Sequence, residues 1–518
     1  MKKLFVVVLM FLLTFGVAHA QLGNLGNKLK KGINALTEEV NKSSSSQSQS
    51  SAQTPPAQKP ATTQTYQSPQ PASSAPAGAP VSLDEFTPAN IPANALYVTI
   101  DRGSARGTGA KESPLKDVQR AIDLAPNGGV VCIAEGNYLG NLDRGWIEIK
   151  GKYVSLVGGF NSDFTERDPQ KYITRIQPTT QQRGTIGMGL LMLECTSNMA
   201  ATMVIDGISF DLGNYLEYCP ADPTDPRWGC PEGCETGRVK PISEPPNSAI
   251  RSIGGNFSGN LAIRNCMFLN SSFYGILLMH KGGNWQIYNN VFVSNIYASC
   301  EVNGALNQTT NAHKSTVDFH HNTVLFSWCA TKEMEDMGYG YRMRNGVDHD
   351  VHHNIFGCSN LSAIDNAWDD STLPADKRKI TSAWDNLFFM NKGDITIPGT
   401  SGGQWLFVPA KRFDEVMSLV KYENNRELPG TSNFKELIDQ PYLKGFANLK
   451  VMTTSSYDPN SAANLYREAH GLNKQGTSTT RVSMYGNRYS LDKALVFFGA
   501  EEGYGAQKFK YSPIAKSN

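Results

Sequence analysis

The sequence has almost no net charge. It contains 48 lysines and arginines against 47 aspartates and glutamates in 518 residues, which gives a formal net charge of +1. A chain with this balance has no long-range field that attracts nucleic acid or other polyanions. The sequence therefore argues against nucleic acid as a partner, and any charged ligand must be held by a local cluster of side chains.

Long apolar runs are missing after the first residues. The run from Leu4 to Leu13 follows Lys2 and Lys3 and is followed by a small-residue exit at Ala20, which is the layout of a cleaved secretory signal. This run is too short to span a bilayer and no later stretch approaches the required length, so no transmembrane segment is expected. Removal of residues 1–20 would change the net charge from +1 to −1. We expect a mature protein that is secreted or periplasmic, either free or associated with the cell surface.

Cysteines are few, and three of the nine lie in one stretch rich in proline, glycine and aspartate. An exported chain meets an oxidising compartment, so Cys219, Cys230 and Cys234 are candidates for a loop disulfide. The alternative is a zinc site, although a fourth ligand is not evident nearby. Cys266 and Cys300 lie in strand-like segments and are expected to be small buried apolar side chains.

The helical periodicity of 3.6 residues is absent from the central part of the chain, which argues against a helical repeat protein. Instead, four segments recur at intervals of 32 residues, and each alternates apolar and polar residues before an asparagine. Asparagine tolerates left-handed backbone and can bond to an equivalent asparagine one coil away. We expect a parallel β-solenoid with an asparagine stack at one corner. The segments are IYNNVF (287–292), FHHNTV (319–324), VHHNIF (351–356) and AWDNLF (383–388), and the stacked residues are Asn290, Asn322, Asn354 and Asn386.

Other parts of the chain have different patterns. Residues 21–42 carry apolar side chains at steps of three and four, which predicts an amphipathic helix. Its segment 22–40 is suited to self-association or to docking on a surface, and a short solvated helix is the alternative. Residues 43–80 consist mainly of serine, glutamine, alanine, threonine and proline, which predicts a disordered linker. The β-solenoid is predicted over 81–410, followed by final coils and a C-terminal cap region over 411–518.

The start of the folded part resembles a known superfamily. A strand, a glycine-rich turn, the helix-like SPLKDVQRAID and the strand PNGGVVCIAEGNY precede VSLVGGFNSDFTERDPQ at 154–170. This order is similar to the N-terminal cap and first coil of secreted bacterial right-handed parallel β-helix proteins of the pectin-lyase-like superfamily. The resemblance implies an all-β, right-handed parallel β-helix with an N-terminal cap helix and a C-terminal cap. It specifies no activity, because the superfamily includes lyases, hydrolases, epimerases and adhesins.

A further strand in each coil carries charged residues that align in a column. When the alternation of these strands is matched, Glu301, Arg342 and Asp365 point outward from three consecutive coils, and Arg344 lies beside them. Coils stack about 4.8 Å apart, so the two carboxylates would flank the guanidinium with about 10 Å between them. Such a column is either a surface ladder of ion pairs or a functional site.

Long insertions and aromatic residues border this strand and favour a functional site. Aromatic rings stack on sugars while arginine and carboxylates bind hydroxyl groups, so an extended polysaccharide is the expected partner. The alternative is that these aromatic residues serve only in packing. The expected substrate-binding residues are Asn303, Tyr341, Trp328 and Trp368.

Two reactions and one non-catalytic role are open for this site. In β-elimination on a uronate chain, Arg342 or Arg344 would hold the sugar carboxylate or, as the resemblance implies, act as the base; Lys281 is a further candidate. In hydrolysis with inversion, Glu301 and Asp365 would act as acid and base, because their separation is near the inverting range of roughly 6.5 to 9.5 Å. No lyase motif matches residue by residue, so a non-catalytic surface or matrix protein, such as an adhesin, is the alternative.

Two pairs of acidic and histidine residues form a separate cluster. Asp318, His320, Asp350 and His352 would point outward from adjacent coils and could bind a divalent metal. An ordinary hydrogen-bonded ladder of these side chains is the alternative. The resemblance also implies Ca²⁺, with the acidic pair at 369–370 as candidate ligands. Apart from Ca²⁺ or another divalent metal, the sequence indicates no cofactor.

Overall fold

The protein is described from a computed structural model that covers residues 86–509 with internal gaps. The predicted signal, amphipathic helix and linker lie outside the described residues and stay predictions, as does the predicted division of the chain. Within the described ranges no helix has the length and apolar character needed to cross a membrane. The gaps are 140–145, 179–188, 199, 214–247, 253–256, 272, 305–314, 328–337, 369, 371–372, 376–377, 400–404, 448–461, 470–473 and 475–487.

The chain winds into successive coils, and each coil contributes strands to three parallel sheets. The chain passes from the first sheet to the second, then to the third, and returns to the first sheet one coil further on. Neighbouring strands pair in parallel in all three sheets. Parallel strands joined in this way wind with a right hand. The predicted all-β, right-handed parallel β-helix is therefore confirmed.

The described part of the chain places ten strands in the first sheet and nine in each of the others. The first sheet contains Leu96–Val98 (β1), Gly129–Ala134 (β2), Val154–Phe160 (β5), Thr202–Asp206 (β8), Asn260–Arg264 (β11), Asn284–Tyr288 (β14), Ser315–His320 (β17), Val347–His352 (β20), Thr381–Trp384 (β23) and Leu419–Lys421 (β27). The second contains Gly136–Leu139 (β3), Thr174–Gln177 (β6), Ile208–Asp211 (β9), Met267–Leu269 (β12), Val291–Val293 (β15), Thr323–Leu325 (β18), Ile355–Gly357 (β21), Leu387–Phe389 (β24) and Arg426–Glu427 (β28). The third contains Ile147–Lys150 (β4), Gly189–Glu194 (β7), Ser248–Arg251 (β10), Tyr274–His280 (β13), Ala298–Gly304 (β16), Tyr339–Met343 (β19), Ser362–Asp365 (β22), Gly393–Pro398 (β25) and Trp405–Val408 (β26).

Short helices flank the coil stack. Helix α1 begins after Asp117, whose side chain accepts a hydrogen bond of 2.7 Å from the backbone N–H of Arg120. Its residues Val118, Ala121 and Ile122 are buried in the main core, so α1 is the predicted N-terminal cap helix. The helices are Val118–Leu124 (α1), Phe434–Leu437 (α2), Gln440–Ala447 (α3), Ala462–Ala469 (α4) and Leu491–Leu495 (α5), together with a 3₁₀ helix at Ala410–Glu415.

The interior of the coils is filled by stacked apolar side chains. The rings of Phe210 and Phe268 are stacked with centroids 5.5 Å apart, and Phe292 continues the stack 4.6 Å beyond Phe268. Cys266 and Cys300 are fully buried, as predicted, and burial raises the pKa of Cys266 to about 12. Cys219, Cys230 and Cys234 lie outside the described residues. The cysteines within those residues are free and buried: Cys132, Cys195, Cys266, Cys300 and Cys358.

The predicted asparagine stack lies at the corner between the first and second sheets. Each side-chain amide donates to the side-chain oxygen of the asparagine in the next coil, and these oxygens also accept from backbone N–H groups one coil back. The prediction is confirmed, and Asn425 extends the stack by one coil. The amide-to-oxygen distances are 3.0 Å (Asn290 to Asn322), 3.2 Å (Asn322 to Asn354), 2.9 Å (Asn354 to Asn386) and 3.0 Å (Asn386 to Asn425).

The left-handed backbone that the turn requires is found one residue before each stacked asparagine. The stacked residues therefore do not use the tolerance of asparagine for left-handed backbone. The stacked asparagines turn their amides along the coil axis, while the preceding residue makes the bend. Asparagine, aspartate and histidine are the non-glycine residues that tolerate positive φ best. The bending residues are Asn289 (φ 55°), His321 (φ 50°), His353 (φ 54°), Asp385 (φ 48°) and Asn424 (φ 60°).

C-terminal segments pack along the outer face of the second sheet. Its strands are apolar on both faces: Phe292 points into the coils, whereas Val291 and Val293 belong to a second core with Tyr442 and Phe497. A sheet covered on both faces needs such continuous apolar strands. These segments therefore cover the side of the coil stack and are not confined to its end.

The segment 505–507 crosses the strands instead of pairing with them. Its successive backbone N–H groups donate to acceptors on three different coils, so it ties those coils together at the corner. The bonds run from Gly505 to the His353 carbonyl (2.8 Å), from Ala506 to Thr323 Oγ1 (3.0 Å) and from Gln507 to Asn289 Oδ1 (2.5 Å).

The asparagine stack leads to a test of stability. Replacing Asn322 by alanine removes the acceptor of the Asn290 backbone N–H and the donor to the Ile287 carbonyl. Because both groups are buried, we expect a loss of roughly 3 kcal/mol, measured by thermal and urea unfolding. The control is Asn284→Ala, which removes an exposed hydrogen bond of 2.8 Å with Thr316 at the start of β14. Equal losses in the two variants would contradict the prediction.

Candidate functional site

The third sheet brings the three predicted charged residues into one column. Glu301 in β16 pairs in register with Arg342 in β19, which pairs with Asp365 in β22. Their strand neighbours Cys300 and Tyr341 belong to the core inside the coils. The predicted alternation and the predicted column are therefore confirmed.

The column is a closed network of ion pairs. Arg342 Nε donates to Asp365 Oδ2 at 2.8 Å, and Arg342 Nη1 donates to Glu301 Oε2 at 2.9 Å. The guanidinium also lies over the ring of Tyr339, 4.4 Å from its centroid. Arg342, Glu301 and Asp365 are 5%, 4% and 1% exposed. The strongest contacts of the Arg342 guanidinium are therefore made with the protein itself.

Electrostatics argue against the catalytic roles predicted for this column. Burial alone would lower the pKa of Arg342, but Glu301 and Asp365 raise it well above its usual value. Burial would raise the pKa of Glu301, but Arg344 and Arg342 lower it below its usual value. Arg342 is therefore unsuited to act as a base, and Glu301 is unsuited to donate a proton as a general acid. These pKa directions and the ion pairs disfavour Arg342 as base and Glu301 as the acid of a hydrolase, and both roles stay predictions.

Predicted binding residues surround the carboxylate of Glu301. Asn303 Nδ2 donates to Glu301 Oε1 at 3.1 Å, and Arg344 Nε lies 3.5 Å from the same oxygen. The Arg344 guanidinium is stacked on the indole of Trp368, 3.3 Å from the ring centroid. Asn303 Oδ1 is buried and has no hydrogen-bond partner within the described structure. The structure therefore groups Asn303, Arg344 and Trp368 as the sequence predicts.

Other predicted site residues lie elsewhere. Tyr341 is fully buried inside the coils, where its hydroxyl lies 2.8 Å from His349 Nδ1, so its prediction as a substrate-binding residue is wrong. Lys281 is exposed just after β13, and its backbone N–H donates to the Phe257 carbonyl. Trp328 lies outside the described residues.

Arg251 in β10 is a site residue that sequence reasoning missed. It occupies the same outward column, because Arg251 pairs in register with Leu277 and Leu277 with Glu301. Arg251 is only 9% exposed, yet its Nε and Nη1 have no hydrogen-bond partner in the part of the chain described. Burial lowers its pKa to about 10. The alternation of β10 would have placed Arg251 in this column. However, β10 follows a long stretch without a strand pattern, so its alignment with the next coil could not be found from the sequence.

The four residues predicted as a metal site lie in two rows on the outer face of the first sheet. Asp318 pairs in register with Asp350, and His320 with His352. Asp318 Oδ1 lies 3.0 Å from His352 Nε2, and Asp350 Oδ1 accepts a bond of 2.7 Å from the indole of Trp384. Between residues 86 and 509, outside the gaps, no group of three or more potential ligands is placed to hold a metal ion. The predicted metal site is corrected to the alternative, a hydrogen-bonded ladder.

Calcium finds no better support at the acidic pair 369–370. Asp370 Oδ2 accepts a hydrogen bond of 2.7 Å from the backbone N–H of Lys379 and so closes its own loop. Asp369 lies outside the described residues. The residues that are described do not form the oxygen cage that Ca²⁺ requires.

The histidines of the first sheet and its corner form two stacks of rings. His320 and His352 have parallel rings 5.0 Å apart, and Trp384 continues the stack 4.4 Å beyond His352. His321 and His353 form a second stack at 5.0 Å. Burial lowers the pKa of His320 to about 4 and that of His321 to about 3. His320 and His321 are therefore uncharged at neutral pH, and the stacked rings contribute packing at this corner.

Replacement of Arg342 should show that this residue stabilises the fold. Arg342→Gln leaves two buried carboxylates without their common cation, so we expect a loss of about 3 to 5 kcal/mol in the free energy of unfolding. Thermal and urea unfolding would measure the effect. The control is Arg106→Gln at an exposed position in the N-terminal turn, where little change is expected. A stable Arg342→Gln variant would contradict the closed network.

Acid should weaken the protein through the histidine stacks. A histidine whose pKa is lowered by folding stabilises fully above its unfolded pKa of about 6.5 and loses that contribution as pH falls towards the folded value. For His320 and His321 the window therefore runs from about 6.5 down to about 4 and about 3. The urea midpoint should fall through this range, and it should fall less steeply in His321→Asn, in which asparagine retains the positive φ. Identical slopes for the two proteins would refute the assignment.

Comparisons with known proteins concern the fold alone. No protein-family model and no curated protein matches the sequence. Pectin methylesterase PemA from Erwinia chrysanthemi is 12% identical over 65% of this chain and 93% of its own, with a TM-score of 0.31. Pectate lyase Pel9A is 10% identical over 83% of this chain and 96% of its own, with a TM-score of 0.34. A pectin methylesterase in complex with a hexasaccharide is 11% identical over 67% of this chain and 96% of its own, with a TM-score of 0.28. None of these comparisons assigns the chain to a family.

Proposed function

We propose that the protein is exported and binds an acidic, uronate-containing polysaccharide along the outer face of the third sheet. The observation that carries this proposal is the buried guanidinium of Arg251, whose Nε and Nη1 lack a partner among the described residues. A buried charge without a partner is costly. A ligand carboxylate would neutralise it and accept hydrogen bonds from both nitrogen atoms. Arg342 cannot serve this role, because its guanidinium is already bonded to two carboxylates.

Neighbouring side chains suit the hydroxyl groups and rings of a sugar. Asn303 Oδ1 is a buried acceptor without a partner in the described structure, and a sugar hydroxyl could donate to it. Trp368 presents a half-buried indole beside Arg344. Because strands of successive coils stack about 4.8 Å apart, these groups extend over several coils from Arg251. This spacing favours an extended chain over a single small molecule.

Binding without turnover is the function that the geometry supports best. β-Elimination is the second candidate, and it is favoured by the burial of Arg251 without a hydrogen-bond partner at Nε and Nη1 in the described structure, which lowers its pKa to about 10. A base removes the C5 proton of the uronate, and the C–H electron pair forms the new C4–C5 double bond. The C4–O bond breaks, and its electron pair leaves with the glycosidic oxygen, which takes a proton from water. Of the arginines in this column, Arg251 would serve better than Arg342, whose pKa is raised.

Arg251→Gln should separate binding from folding. We expect affinity for polygalacturonate to fall by about 2 kcal/mol or more, roughly thirtyfold in Kd, because the carboxylate loses its buried cation. The melting temperature should rise, because the variant removes an unpaired buried charge from the free protein. Calorimetric titration at fixed ionic strength and thermal unfolding would measure the two effects, with Arg106→Gln as the control. Unchanged affinity, or a lower melting temperature, would sink the proposal.

A second measurement on the same protein and polymer distinguishes binding from β-elimination. Ultraviolet absorbance over time records the conjugated double bond that β-elimination creates, with calcium or with a chelator. A rise that disappears in Arg251→Gln would establish a lyase that depends on this residue. A flat trace together with measured binding would leave polysaccharide binding as the function.

A further inference from the structure

A cavity of about 760 Å³ lies beside the first coils of the second sheet, and none of its lining residues belongs to the site on the third sheet. One wall is formed by the strands β3, β6 and β9 and the turns near them. The other wall is formed by residues 488–492. The volume falls within the range of roughly 300 to 1,000 Å³ that ligand pockets occupy.

A chain of hydrogen bonds fixes the floor of this cavity. An Arg175 Nη2 atom forms an ion pair with Asp211, and Asp211 Oδ1 accepts a bond of 3.0 Å from Asn270 Nδ2. Asn270 Oδ1 in turn accepts a bond of 2.9 Å from the backbone N–H of Tyr489. Asp211 and Asn270 are buried, so the two walls are joined by groups with little freedom to move.

The lining contains charges of both signs beside apolar side chains such as Ile173 and Leu491. Carboxylates and cations are present in similar number, so the cavity has no field that would select a polyanion. Its polar walls also disfavour an apolar ligand, which would leave these groups without partners. Among the lining groups are the carboxylates of Asp101 and Glu135, the cations of Lys171 and Arg175, and the amide of Asn137.

Arg175 supplies a further observation that points to a ligand. Its Nε atom is buried and has no hydrogen-bond partner in the described structure, although Nη2 of the same group is held by Asp211. The guanidinium is therefore held at Nη2, and its buried Nε–H is left without a partner in the described structure. A hydroxyl oxygen is a suitable acceptor for such a donor, and its own proton can be donated to a neighbouring carboxylate.

We propose that this cavity is a second binding site, which takes a short, uncharged oligosaccharide. Each sugar hydroxyl can both donate and accept a hydrogen bond. A wall that carries carboxylates, amides and guanidinium groups offers acceptors and donors for both. The proposal does not depend on the function assigned to the third sheet.

Two tryptophan variants on one strand test this site. Asn137 lines the cavity, whereas Leu139 lies two residues further along β3, is 53% exposed and does not line the cavity. Calorimetric titration with short gluco-, galacto-, manno- and xylo-oligosaccharides should find at least one ligand for the wild-type protein. Asn137→Trp should fill the cavity and weaken that ligand about tenfold or more, while Leu139→Trp leaves its affinity unchanged. Thermal unfolding should show both variants folded.

Three results would overturn the proposal. The first is that no oligosaccharide of the panel binds. The second is that Asn137→Trp and Leu139→Trp bind equally well. The third is that Arg251→Gln abolishes the binding of the neutral oligosaccharide, which would place the ligand on the third sheet. Failure of polygalacturonate binding leaves this test unaffected, so the two proposals fail separately.

Discussion

The register between coils is the constraint on which the rest of the molecule depends. At the corner between the first and second sheets, each stacked asparagine binds the next one and also the carbonyl group of the preceding coil, as in the bond from Asn354 to the Phe319 carbonyl. A slip of one residue would turn every side chain of a strand to the opposite face. Because the slip is prevented at this corner, residues such as Glu301, Arg342 and Asp365 on the third sheet can form a straight column.

That column combines two electrostatic situations at similar depth. Arg342 is buried between two carboxylates, so its charge is compensated within the protein. Arg251, two coils before Glu301, is buried without such partners in the described residues. In a medium of low dielectric constant this difference decides the role of each residue. The charge of Arg342 is compensated within the fold, whereas the uncompensated charge of Arg251 is the one through which we propose that a ligand binds.

The periodicity of the sequence predicted the features that depend only on the direction in which side chains point. These features are the coils, the asparagine stack and the outward direction of Glu301, Arg342 and Asp365. It could not predict how outward side chains pair, because alternation does not reveal what covers them. For this reason the sequence is compatible with His320 and Asp350 both as metal ligands and as members of a hydrogen-bonded ladder. The packing of the C-terminal segments was also missed, although the doubly apolar strands of the second sheet, such as Val291–Val293, carried the signal.

The C-terminal residues link the stability of the coils to the shape of the second cavity. The segment 505–507 bonds to three coils, and residue Tyr489 of the same region is held by Asn270 beside the cavity. The wall of the cavity is thus attached to the same coils that the asparagine stack keeps in register. A local opening of this region would cost bonds on several coils at once, so the wall belongs to the cooperative core rather than to a mobile loop. The cavity is therefore preformed, and a ligand at the proposed site would not need to supply the energy to order it.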